Sequence, residues 1–261
     1  VGGLLLVGLG CENVTVDEVL ARLQKLNRPV ERLLIQDIGD MDELIRLGKE
    51  SIARIKSVVD KQTREEFDIS QLVVGVECGA SDPFSGITAN PAVGMVADKL
   101  VALGATVILS ETPELIGAES LLIKRIPNKT NQDKLLARTR HYIEVAHSLG
   151  QDLIGTNPTP GNIRAGITTI EEKALGAVAK GGSSQINQIV DYAEASTQKG
   201  LVIMDTPGND PESLTGLVAG GAHLILFTTG LGTPLGYPIV PVIKISSNSE
   251  TFRKMGSFTD I

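Results

Sequence analysis

A chain of 261 residues with a formal net charge of -7 and no lysine- or arginine-rich block is a poor match to nucleic acid or to an anionic membrane surface. No apolar run approaches the roughly 20 residues of a membrane span, and the opening VGGLLLVGLG lacks the basic region of a signal peptide. Tryptophan is absent and aromatics are scarce, so Val, Ile, Leu and Ala must fill the core, which suits parallel strands packed under helices.

Gly3 to Leu9 reads as a first strand. The chain opens directly in it without an initiator methionine, and we expect a fragment of a longer protein. Thr15 with Glu18 forms a capping box, and Val16, Val19, Leu20, Leu23 and Leu26 carry helical spacing behind it. Arg32 to Gln36 reads as a second strand. Met41, Leu44, Ile45, Ile52, Ile55 and Val59 then draw one apolar stripe along a charged helix with a solvated face.

Leu72 to Val76 is the third expected strand, and GVECGASDPFSGITANP follows it. This loop has little to bury and many groups that hold a polar ligand. In an open α/β fold it lies at the carboxyl ends of the strands, where ligands sit. Asn90 before Pro91 predicts an N-cap followed by proline at the first helical position, with the helix ending at Gly104. Ala105 to Leu109 is the next strand, and Asp133 to Leu149 an amphipathic helix. GTNPTPGNIRAGITT, from Gly155 to Thr169, is expected to be irregular; Thr168 with Glu171 then signals a helix start, and the glycine-rich AKGGSS follows. Strands are expected at Leu201 to Met204, Leu224 to Phe227 and Val240 to Ile245, with Asp210–Pro211 repeating the Asn90–Pro91 device. The order of strand, glycine-rich loop and X-Pro helix start thus occurs twice, from Leu72 and from Leu201. The fold class is α/β, a Rossmann-like open, mostly parallel sheet with helices on both faces. The chain reads as a single catalytic domain, 1–261, with halves at 1–150 and 151–261 as the alternative division.

Cys11 and Cys78 lie far apart in sequence and, in a cytoplasmic chain, read as thiols or ligands rather than a disulfide. Cys11–Glu12 follows the first strand and Glu77–Cys78 the third; if those strands are neighbours the two pairs converge, with Glu111 and Glu119 nearby. Thiolate plus carboxylate suits a divalent transition metal such as iron(II) or zinc. The alternative is small buried cysteines in tight turns. His141, His147 and His223 read as structural, and no Ser-His-Asp triad is in view. The GxGxxG fingerprint and the Walker lysine motif are missing, which disfavours nucleotide binding.

Six blocks, ECGASDPFSGITANPAVG, LSETPELIGAE, NPTPGNIRAGITTIEEKALG, KGGSS, PGNDPESLTG and FTTGLGTPLG, resemble in this order the carboxy-terminal catalytic region of the altronate and galactarate dehydratases. The large subunit of the sulfo-lyase acting on sulfolactate is similar in the same blocks. The resemblance implies iron-dependent dehydration of a sugar acid to a 2-keto-3-deoxy acid, and an upstream SAF-type domain in the same protein. On that reading Cys11, Cys78 and one of Glu111 or Glu119 stand near the metal, while Glu77 and Lys180 are the acid/base candidates. Ser81, Asp82, Ser85, Thr88, Asn90, Asn157, Asn162, Asn209, Asp210, Thr228, Thr229 and Thr233 are expected to hold the substrate. A sulfo-lyase subunit and a non-catalytic sugar-acid binding module are the alternatives. A homo-oligomer is compatible with all three.

Overall fold

The structure is a computed structural model and describes residues 2–261. It separates into two compact units, Val1–Glu66 and Phe67–Ile261. The alternative division near residue 150 falls inside the second unit, just after helix Lys129–Ser148.

In the first unit, strands β1 (Leu4–Gly8) and β2 (Val30–Leu34) pair in parallel, with Leu4 opposite Val30. Between them the capping box forms: Thr15 Oγ1 accepts from the Glu18 N–H at 3.3 Å, and Glu18 accepts from the Thr15 N–H at 3.0 Å. The second strand is displaced from Arg32–Gln36, because Ile35–Ile38 already turns as a helix. Asp40 caps helix Met41–Val59, accepting from Glu43 N–H at 2.8 Å. The ladder of β1 is with β2, in a sheet of its own, so the first strand is not the neighbour of the third as expected.

The second unit is built on β3 (Val73–Gly79), β4 (Thr106–Leu109), β5 (Ile186–Val190), β6 (Gly200–Met204), β7 (Leu224–Thr229) and β8 (Val242–Ser246). All pair in parallel, in the order β5-β6-β4-β3-β7-β8. Side chains alternate across each strand. Val107 and Leu109 enter one core with Val93, Ala97 and Val178; Ile108 enters the other with Leu214 and Leu217. Helices Ala89–Ala102 and Ile170–Ala179 therefore cover one face and Asp210–Ala219 the opposite one. From β3 the chain goes to β4 on one side, and from β6 it crosses back to β7 on the other. The tip of β3 lies at this reversal, where open α/β sheets bind ligands.

Several elements differ from expectation for local reasons. β3 runs on through Glu77 and Cys78 to Gly79, so both residues stand on a strand end rather than in a loop. Thr88, not Asn90, occupies the cap position of helix Ala89–Ala102, which places Asn90 inside the first turn. The stretch 155–169 is not irregular throughout: Thr159 caps a short helix, Pro160–Arg164, through a capping box with Asn162. Thr169 rather than Thr168 caps helix Ile170–Ala179. Strand β5 and the terminal helix Ser249–Lys254 carry no clear apolar period and lie outside the elements read from sequence.

Candidate functional site

Adjacent residues of a strand face opposite ways, and at the tip of β3 this divides the chemistry. Glu77 points toward helix Asp210–Ala219, where Ser213 Oγ donates to its Oε2 at 2.6 Å; Ser110 Oγ donates to the same oxygen at 2.6 Å. Its other oxygen, Oε1, is buried without a partner among the described residues. Burial, then the nearby Glu111 charge, pushes the Glu77 carboxyl well above the usual range. The shift runs toward the protonated form, the one that tolerates an unpartnered oxygen best.

Cys78 points the other way. Lys180, at the end of helix Ile170–Ala179, extends its ammonium to Cys78 Sγ at 2.9 Å and into an ion pair with Glu111. Glu111 Oε2 also accepts from the Cys78 N–H at 2.9 Å. The turn that brings this carboxylate back is left-handed at Glu111, φ 66°, an unfavourable conformation for a non-glycine residue. Thr206 at the end of β6 holds it, its Oγ1 accepting from the Glu111 N–H at 2.7 Å. Burial opposes the charge on Lys180, yet Cys78 and Glu111 outweigh it and keep the ammonium protonated. Burial, then the Glu111 charge, pushes the Cys78 thiol up to about 12, so the sulphur rests as a thiol.

Exposure decides how this cluster meets solvent. Lys180 and Glu77 are 0% exposed and Glu111 1%, whereas Cys78 is 7% exposed and lines a cavity of about 460 Å³. Ser81, Asp82, Ser85 and Asn90, four of the expected substrate-binding residues, line the same cavity, and so does Lys173. Asp82 is committed within the protein, accepting from Ser85 N–H at 2.8 Å, Ser247 Oγ at 2.8 Å and Asn248 Nδ2 at 3.1 Å. Asn90 donates to Gly176 O at 2.9 Å and accepts from Thr228 Oγ1 at 2.5 Å, tying β7 to both covering helices.

The other expected residues lie off the cavity wall. Asn162 donates to Ser81 O at 2.9 Å and supports the wall from behind. Asn157 accepts from Lys173 Nζ at 2.8 Å. Thr88 donates to Phe84 O and Ser247 O, Thr229 caps the turn at Gly232, and Thr233 the turn at Leu235. Asn209 is exposed and bonds Glu212. Asp210 starts helix Asp210–Ala219 against Gly79, where an added Cβ would come within 2.5 Å of its Oδ2. No hydrogen bond engages Asp210's side chain among the described residues, and burial, then Glu111, pushes its carboxyl up to about 6.

Of the expected metal ligands, Cys78 and Glu111 come together. Glu119 turns back to its own loop, accepting from Gly117 N–H at 2.8 Å. Cys11 is an exposed free thiol in the first unit, bonded by Gln36 at 3.5 Å. Sequence reasoning did not single out Ser110, Thr206, Ser213 or Lys173, and gave Glu114 no role. Their signal was position: Ser110 directly follows β4 and Thr206 follows β6, so both stand at strand ends.

The fold and the site define a class: a parallel α/β domain with a sealed cluster of ionisable groups at the strand tips, opening through one thiol onto a cavity of mixed polar and apolar lining. The chain belongs to the family described as D-galactarate/Altronate dehydratase, C-terminal, whose pattern matches residues 69–261. It is 38% identical over 261 residues to altronate dehydratase of Escherichia coli, covering 99% of this chain and 52% of that protein. It is 35% identical over 270 residues to galactarate dehydratase (L-threo-forming) of the same organism, covering 100% of this chain and 51% of that one. The (2R)-sulfolactate sulfo-lyase subunit beta of Chromohalobacter salexigens is 35% identical over 255 residues, 97% of this chain and 65% of its own length. The chain spans about half the length of the two dehydratases.

Proposed function

We propose that this chain is the catalytic half of a sugar-acid dehydratase, removing water across C2 and C3 of a hydroxy acid to leave a 2-keto-3-deoxy acid. The observation that carries this reading is the Cys78–Lys180–Glu111 cluster, sealed except where Cys78 meets the cavity. The substrates named for the relatives, altronate, galactarate and sulfolactate, share a carboxylate with a hydroxyl on the next carbon. The proton on that carbon is weakly acidic, and a base must take it while an acid helps the neighbouring hydroxyl depart as water. The resting thiol of Cys78 supplies the acid and, facing the cavity, regains its proton from solvent, while the ammonium of Lys180 behind it stabilises the transient thiolate. Asp210 supplies the base. It lies on the Glu77 side of β3, opposite Cys78 and off the cavity wall, so the substrate must reach from the cavity over the tip of the strand to meet it. The enol that remains then takes a proton at C3 and becomes the keto acid.

Iron(II) is part of the expectation, and the donor set here does not complete a site for it. The ammonium of Lys180 already occupies Cys78 and Glu111, and among the described residues no group of three His, Cys, Asp or Glu side chains is placed to hold a metal ion. No helix among the described residues is long and apolar enough to cross a membrane.

The test is an assay of the full-length protein on altronate and galactarate, with and without added iron(II), scored by semicarbazide-reactive keto acid. Keto acid from either substrate is the expected result. Sulfite release from sulfolactate, with no keto acid from either sugar acid, would move the function to the sulfo-lyase reading. Tight binding of sugar acids without turnover would leave a binding module.

A further inference from the structure

We infer that Lys173 is the cation that receives the substrate's carboxylate, which fixes one end of the sugar acid in the cavity. The inference rests on the sugar-acid reading above. A sugar acid is an anion, and Lys173 is the one cationic side chain among the described residues lining the cavity. Of the three acids on the same wall, Glu171 is exposed to solvent and the other two are engaged elsewhere. Asp82 accepts from Ser85, Ser247 and Asn248, and Glu172 accepts from the Thr168 N–H at 2.7 Å as part of its helix start.

Lys173 is positioned before any ligand arrives. Its side chain is 10% exposed, its Nζ lies 2.9 Å from Glu114 Oε2, and it donates to Asn157 Oδ1 at 2.8 Å. An ammonium carries three N–H donors. Lys173 Nζ donates to Glu114 Oε1 at 3.1 Å and to Asn157 Oδ1, and on this inference its third donor goes to a carboxylate oxygen of the substrate. Such a contact is a charge-assisted hydrogen bond, stronger than one between neutral groups. Neither partner is near in sequence: Glu114 follows β4, and Asn157 precedes the short helix Pro160–Arg164. Three separate segments therefore converge to aim one ammonium, more than a solvated helix face requires. Cys78 lines the same cavity, so the charged end of the substrate is held on the Lys173 wall while the reacting carbons extend toward the thiol.

The test uses the full-length protein and the variants Lys173→Gln, Lys173→Arg and Asn157→Ala. Lys173→Gln is expected to raise KM for the sugar acid by roughly 10- to 100-fold, the range of one hydrogen bond to a charged group. The fall in kcat should be much smaller. Lys173→Arg should recover most of the affinity, and Asn157→Ala, which loosens the ammonium but keeps its charge, should raise KM by a smaller factor. Calorimetry with the sugar-acid anion and with its uncharged amide gives a readout independent of turnover: the wild type prefers the anion, and Lys173→Gln loses the preference. An unchanged KM, or an arginine variant as weak as the glutamine one, would overturn the inference and leave the dehydratase reading intact. Anion preference without turnover would support the carboxylate subsite while removing the dehydratase reading. A wild type that binds no sugar acid would overturn both.

Discussion

At the scale of single side chains, charge balance governs the site. Lys180 and Glu111 are both sealed from water, and each is tolerable only because of the other. Lys180→Met leaves a buried carboxylate without its partner, which costs about 3–5 kcal/mol. Denaturant unfolding is expected to show that loss, and Lys180→Met combined with Glu111→Gln should recover much of it. An unchanged midpoint for the single variant would contradict the pairing. Asp210 gives a pH signature. Its carboxyl is raised from 3.8 to about 6 in the folded state, so the native protein holds a proton that the unfolded chain has released. Stability attributable to Asp210 is therefore present below pH 3.8 and is lost as pH rises toward about 6. Asp210→Asn removes that dependence and should stabilise the protein at pH 7 by about 1–2 kcal/mol, after allowance for partial solvent screening. Its turnover should fall, since the base of the proposed reaction is gone. Wild-type and variant stability curves that run parallel from pH 4 to 7 would contradict the assignment. At this scale the sequence named Cys78, Glu111, Lys180 and Asp210 and grouped the first two, but it did not join Lys180 to them, because Lys180 is brought to Cys78 across 102 positions of chain.

At the scale of elements, close backbone approaches place these side chains. Gly94, in helix Ala89–Ala102, passes so near the end of the neighbouring helix that an added Cβ would lie 2.1 Å from Ala179 O. Gly94→Ala must push that helix end, and Lys180 with it, away from Cys78. Overpacking of this kind costs about 1–3 kcal/mol. A lowered Tm together with a disproportionate fall in turnover is expected; a variant with wild-type activity would show that the helix end is free to move. Strands β3, β4, β6 and β7 were legible because each is an apolar run ending in glycine or hydroxyl residues. β5 was not, since Asn187 and Gln188 interrupt its apolar residues and only pairing with β6 defines it. The helical turn within 155–169 was hidden because two prolines imply irregularity, although Pro160 stands at a first helical position where proline is favoured.

At the scale of the whole molecule, both hydrophobic cores lie within Phe67–Ile261, which also holds the complete acid–base cluster and its cavity. That unit should fold by itself, with native helical circular dichroism and a cooperative thermal transition. A chain of residues 67–261 that melts without cooperativity would contradict the division. The parallel sheet and its covering helices followed from composition and strand spacing. Placing the first strand in a separate sheet did not, because a ladder partner is a long-range property that one apolar run does not specify.

The central claim is that protons reach the substrate through the one member of the sealed cluster that faces the cavity. It is tested most directly by the kcat of full-length Cys78→Ala on the sugar acid that the wild type dehydrates, with thermal unfolding as a check on the fold. The account predicts a fall of roughly 100-fold or more, the usual contribution of a positioned acid or base, with the fold retained. A kcat within about threefold of wild type, far less than such a group supplies, would contradict it.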